Sequence, residues 1–175
     1  MFRTSNGRIA LVAILTFALD QISKQFVKHW LPNDEDYKEV IRGFFRFVHW
    51  NNTGAAWSMF MGNNKGLAVV AVLALLILFL NRRHFEAHTL TGQLALGLIF
   101  GGIVGNLTDR LLVGHVTDFL YFYLQRRGGP DIYFPAFNVA DSGICIGVGL
   151  IFFLSLRNDA RLRANSNSVS PETRA

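Results

Sequence analysis

Residues 92–113 read GQLALGLIFGGIVGNLTDRLLV, and the fold turns on that stretch. It is apolar or small almost throughout, and its length reaches the ~20 residues that a helix needs to cross a hydrocarbon core. Gly97, Gly101 and Gly105 recur every four residues on one helical face, which lets a neighbouring backbone approach closely. The run is then broken by Asn106, Asp109 and Arg110. Asn106 lies about two turns, or ~10 Å at 1.5 Å per residue, inside the end at Val113. A polar side chain there costs several kcal/mol unless it faces protein. The stretch therefore predicts a transmembrane helix packed against other helices, with a polar cluster toward its C-terminal end.

Three more apolar blocks flank it, at Ile9–Phe26, Leu67–Leu80 and Val139–Leu156. Leu67–Leu80 is short for a span and extends toward Asn63 if Lys65 snorkels its ammonium to the headgroups. The chain is 51% hydrophobic and 17% charged, with a mean hydropathy of +0.29, outside the usual range of soluble domains. Arg3 and Arg8 before an apolar run also outline a secretory signal. That reading fails because Asp20, Gln21, Ser23 and Lys24 follow at once, without a small-residue cleavage pattern.

The formal charge is +5, but no Lys/Arg cluster alternates with stacking aromatics on a soluble segment, which excludes nucleic acid as a partner. The arginines sit at span ends instead, as in Arg82, Arg83, Arg157, Arg161 and Arg163, where they anchor against an anionic leaflet. With four spans both termini share a side. Placing them and the 81–91 loop inside puts eight basic residues there (Arg3, Arg8, Arg82, Arg83, Arg157, Arg161, Arg163, Arg174) against seven in the opposite loops, so the positive-inside rule makes both termini cytoplasmic by a narrow margin. The single Cys145 lies within the fourth block and five scattered histidines assemble no metal site, so the expectation is core packing for Cys145 and neither metal nor cofactor.

The outer loops carry their own patterns. Residues 40–50 (VIRGFFRFVHW) read as a strand or hairpin, and 119–125 (FLYFYLQ) as an aromatic interfacial segment. Arg126-Arg127-Gly128-Gly129-Pro130 reads as a flexible turn, and the Ser- and Asn-rich tail 164–175 as disordered. The predicted fold is mainly α and integral to the membrane: a single four-span domain over 1–163, with a small extracytoplasmic β-rich element and an interfacial helical segment.

Helical spacing pairs the polar residues of the spans. Asp20 and Lys24 are i,i+4, Asn106 and Arg110 are i,i+4, and Asn138 and Asp141 are i,i+3. For Asp20 and Lys24 an ordinary juxtamembrane ion pair is an open alternative to a role in a site. Asn138 and Asp141 also suit the N-cap and first turn of the fourth helix. Asp118 follows the third span closely and Asp141 opens the fourth, so both lie near one membrane face whichever way the chain is oriented. Two carboxylates in a half-dry site do not both ionise easily. One keeps its proton while the other activates water, as aspartic peptidases require.

Five segments, DQISK at 20–24, NTGAAWS at 52–58, GGIVGNLTDR at 101–110, GHVTDF at 114–119 and PAFNVADS at 135–142, resemble in content and order the blocks of the bacterial lipoprotein signal peptidases, the type II signal peptidases. The resemblance implies that Asp118 and Asp141 are the catalytic pair, and that Asp20, Lys24, Asn52, Gly54, Asn106, Arg110 and Asn138 support the site or bind substrate. It implies an inner-membrane aspartic peptidase acting on prolipoproteins whose cysteine carries diacylglycerol, cutting just before that cysteine, with no cofactor and with membrane lipids as surroundings. Two features depart from the family: Trp57 stands where Phe is usual, and QRRGGPDI at 125–132 is longer than the usual connection before the last span. The competing reading is a small transporter or proton channel, because intramembrane carboxylates also form relays. It is disfavoured by the gathering of the polar groups at one membrane face.

Overall fold

The computed structural model describes residues 4–34, 36–54 and 62–168. Each apolar block becomes a helix: α1 Ser5–Trp30, α2 Asn64–Asn81, α3 Leu90–Leu112 and α4 Val139–Ser168. Polar caps set where they begin, since the side chains of Thr4, Asn63 and Thr89 accept from the amides of Gly7, Gly66 and Gly92 and satisfy donors that a first turn leaves unpaired. The second span is longer than its apolar core. It starts at Asn64 with Lys65 exposed, and a 3-10 turn at Arg82–Phe85 extends it to 22 residues. All four helices are long and apolar enough to cross a membrane.

Helix α3 is the centre, with α1 and α4 packed on it and α2 outermost, packed mainly on α3. Its glycines explain the closeness. A Cβ at Gly97 would stand 2.5 Å from that of Val12, one at Gly101 would strike the Ala13 carbonyl, and Gly102 lies in the same way against the Ala140 carbonyl of α4. The four-residue glycine face thus receives α1, and α4 sits on the adjoining face, where Gly147 meets Ala95 and Ile99. Outward-facing residues are apolar, such as Val69, Leu76 and Leu80 of α2 and Phe152 of α4, as lipid contact demands.

The extramembrane portion is an antiparallel sheet in the order β1-β2-β3-β4, made of Tyr37–Ile41, Phe45–Asn52, Val116–Leu124 and Ile132–Tyr133. The expected hairpin at 40–50 is β1, a turn at Gly43 with φ +76°, and the first part of β2. The aromatic stretch 119–125 differs from expectation: up to Leu124 it is strand β3, and no interfacial helix accompanies it among the described residues. The reason is tertiary. Strand β2 offers a complementary edge, pairing Phe45 with Phe122 and Phe47 with Leu120, so backbone groups that a helix would satisfy internally are satisfied across the ladder. At the other end of the chain α4 continues to Ser168, so residues 164–168 of the expected disordered tail are helical. Residues 169–175 lie outside the described residues, as does the Trp57 departure.

Candidate active site

The C-terminal end of α3 turns tightly into β3. Gly114 adopts φ +84°, a left-handed conformation suited to glycine, and its amide and that of Val113 both donate to the Asp109 carbonyl. Asp118 follows in the strand, 3% exposed, beside the opening of α4. That helix begins with a reciprocal cap: the Asp141 amide donates to Asn138 Oδ1 at 2.9 Å, and the Asn138 amide to Asp141 Oδ2 at 3.2 Å. This is the arrangement of a capping box, with Asn and Asp in place of Ser/Thr and Glu.

Asn138, fully buried, then joins the two carboxylates, because its Nδ2 donates to Asp118 Oδ1 at 2.8 Å. The remaining oxygens have donors of their own. Asn52 Nδ2 reaches Asp118 Oδ2 at 2.8 Å, and Asn106 Nδ2 reaches Asp141 Oδ1 at 2.7 Å. Asn52 in turn accepts from the Gly54 amide at 2.8 Å. Both acids face one cavity of about 400 Å³, whose wall also includes Asn52, Asn106, Arg110 and Phe137. Burial, and secondarily the charge of Asp141, push the Asp118 carboxyl up to about 7, against the amide donors of Asn52 and Asn138 and the more distant charge of Lys24.

Below the carboxylates lies a second layer. Lys24 is 1% exposed and its ammonium has three acceptors: Asp20 at 2.8 Å, Asp109 at 2.8 Å and Asn106 Oδ1 at 2.9 Å. Asp20 and Lys24 are therefore not a juxtamembrane pair but a buried cluster joining α1 to α3. Asp20 also accepts from the Ala140 amide at 2.9 Å, tying α1 to the first turn of α4. Arg110 directs one nitrogen to the Asn106 carbonyl at 3.3 Å and another to the Gly54 carbonyl at 3.1 Å, while its buried Nε has no acceptor among the described residues.

The residues that the resemblance assigned to the site thus fall in or directly beneath one cavity, whereas Cys145, expected in core packing, is exposed on the wall of that cavity, because its side of α4 faces away from α3. Asp109 was recognised only as a costly polar residue, and Gln21, whose Nε2 lies 3.1 Å from both Asp20 Oδ2 and Asp109 Oδ1, was not assigned to the site. A signal for Asp109 existed. A buried ammonium has three N–H groups, and Asp20 alone does not satisfy them.

The arrangement can polarise a water between an ionised and a protonated carboxylate: among the described residues neither acid has an ion-pair partner within 4.0 Å, and Arg110 of the same cavity is within electrostatic reach of both. Comparison with known proteins identifies the family. The family model for signal peptidase (SPase) II matches residues 12–157. The lipoprotein signal peptidase of Symbiobacterium thermophilum is 41% identical over 81% of this chain and 90% of its own length, and that of Shewanella sediminis 37% identical over 98% of both. Two solved bacterial membrane enzymes, determined by the in meso method at 2.3 Å and 1.9 Å resolution, superpose with TM-scores of 0.68 and 0.71 at 32% identity. The first alignment covers 96% of this chain and 95% of that one, the second 86% and 93%. With four apolar helices and a match over most of its length, the chain belongs to the signal peptidase II family, as a multi-pass peptidase of the bacterial inner membrane.

Proposed function

We propose that this signal peptidase is an aspartic endopeptidase that removes the signal peptide from diacylglyceryl-modified prolipoproteins by cutting just before the lipidated cysteine. The observation that carries the reading is the convergence of Asp118 and Asp141, from separate elements, on one cavity, with amide donors on all four oxygens and Asn138 bonded to both. Asp118, held protonated up to about pH 7 by burial, acts as the acid. Asp141 sits in the first turn of α4, where its oxygens accept from Asn106 Nδ2 and the Asn138 amide, and acts as the base.

Asp141 takes a proton from water as the oxygen attacks the scissile carbonyl, and Asp118 gives its proton to the carbonyl oxygen. Collapse of the tetrahedral species breaks the C–N bond, with a proton passing to the departing cysteine nitrogen. Asn52, Gly54, Asn106, Arg110 and Asn138 hold the acids and the cavity wall, and Asp20 and Lys24 fix the helices beneath. The unmatched Arg110 Nε is suited to a substrate carbonyl. The active face is periplasmic in this reading, both termini are cytoplasmic, and the substrate arrives laterally because its signal helix and acyl chains are apolar. A relay across the membrane is disfavoured, since below Asp20 the buried α1–α3–α4 contacts are made by glycines and apolar residues such as Ala95, Leu96 and Ile99, and the buried polar side chains there among the described residues, Thr16 and Gln93, are uncharged.

The test is incubation of purified protein with lipidated and unlipidated prolipoprotein, read by mass. Cleavage before the modified cysteine alone is expected. No cleavage of either, from folded protein, would sink the reading.

A further inference from the structure

An aromatic track leaves the lipid-facing side of α1 and follows the sheet. It runs from Phe26, 63% exposed, to Trp30 at 5.9 Å between ring centroids, on to Phe47 at 5.8 Å, Phe45 at 5.1 Å, Phe122 at 4.7 Å and Phe44 at 5.6 Å. It ends where two turns meet. The Gln125 amide donates to the Gly43 carbonyl at 3.2 Å and the Tyr123 amide to the Phe44 carbonyl at 2.9 Å, which sets the β1–β2 turn beside the 125–131 connection. This tip presents exposed Phe44, Ile132 and Tyr133 together with exposed Arg42, Arg126 and Arg127. None of the three arginines has an ion-pair partner within 4.0 Å among the described residues. The neighbouring acids are engaged elsewhere: Glu39 accepts from Tyr123 Oη at 2.6 Å and from the Gly43 amide at 3.1 Å, though within electrostatic reach of Arg42, and Asp131 accepts from the Arg126 amide at 3.3 Å.

We propose that this tip is a docking surface for anionic phospholipid headgroups, with Arg42, Arg126 and Arg127 on the phosphates and Phe44, Ile132 and Tyr133 in the acyl boundary. Two observations select a leaflet as occupant. The track is continuous with the lipid-facing surface of α1, and unpaired arginines beside apolar rings match the charge and layering of an anionic interface. The sheet is thereby held against the bilayer beside the cavity, and the longer 125–132 connection supplies two of the three charges. Each arginine near such a surface contributes about a fivefold preference for anionic over neutral lipid, so the three together give one on the order of a hundredfold before geometry reduces it.

The test is independent of peptidase activity. A fluorophore on Gly129→Cys, a position with open space around it, in a Cys145→Ser background, is read in full-length protein in nanodiscs with brominated lipids as quenchers. Quenching is expected to be several-fold stronger when phosphatidylglycerol is mixed into phosphatidylcholine than in phosphatidylcholine alone, and to fall with salt. The preference should disappear when all three arginines become Gln and survive when all three become Lys, which separates lost charge from lost fold. Equal quenching in both lipids, or a preference retained by the Gln variant, overturns the proposal. A tip unquenched in both lipids but shielded by an added acidic peptide would assign the cluster to a polypeptide and also overturn it.

Discussion

Asp118 and Asp141 have the same side chain in different settings, and the difference can be titrated. An unfolded aspartate loses its proton near 3.8, whereas Asp118 keeps its own to about 7. Unfolding therefore releases a proton between those limits, and stability falls as pH rises through that window and is flat outside it. At about 1.4 kcal/mol per unit this is a handicap on the order of a few kcal/mol above pH 7. Asp118→Asn lacks it, so its melting temperature should rise relative to wild type as detergent-solubilised samples move from about pH 4 to about pH 8. A gap that does not change with pH would remove the burial argument. Activity should fall through the same region, as the acid of the pair ionises, and both Asp118→Asn and Asp141→Asn should abolish cleavage. Lys24 and Arg110 should behave in the opposite sense. Lys24→Met leaves Asp20 and Asp109 facing each other without a cation, at roughly 3–5 kcal/mol. Arg110→Ala leaves the Gly54 and Asn106 carbonyls without their guanidinium donor, at about 1–3 kcal/mol. Melts of these variants beside the Asp→Asn pair check the assignment: carboxylate variants that melt far below wild type while Lys24→Met does not would reverse it.

At the scale of elements, the glycine face of α3 converts a sequence period into a site. A Cβ on Gly105 would stand 2.5 Å from Asp20 Oδ2 and 3.1 Å from its Cγ, and that carboxylate is already held by Lys24 and the Ala140 amide. Gly105→Ala must therefore push α1 away or displace Asp20 from α4, with a stability loss of roughly 1–3 kcal/mol and reduced cleavage. Gly149→Ala on α4, with nothing within 4 Å, should leave both unchanged. The pair is compared by melting and by initial rate on one lipopeptide; equal behaviour would mean that the helices are not in close contact there. The same scale shows what a local pattern conceals. FLYFYL suits an interfacial segment or a strand, and only the register against β2 selects the strand.

For the whole molecule, orientation is open to direct measurement. Gly129→Cys in the Cys145→Ser background should react with an impermeant thiol reagent added outside intact spheroplasts; reaction only after permeabilisation would invert the topology. The four spans, the hairpin at 40–50 and the pairs Asp20/Lys24 and Asn138/Asp141 were legible in the sequence, because span length, two-residue alternation and i,i+3 or i,i+4 spacing are local quantities. So was the common membrane face of Asp118 and Asp141, which follows from chain parity across a span. The union of these parts was decided by tertiary structure. Lys24 finds Asp109 across the α1–α3 contact, Asn52 reaches Asp118 from another strand, and Asn138 spans both acids only because Gly114 turns β3 back over the start of α4. Such bonds join residues up to 120 positions apart, and no local spacing specifies which buried donor will meet which acceptor; the close approach of helix backbones at glycine does.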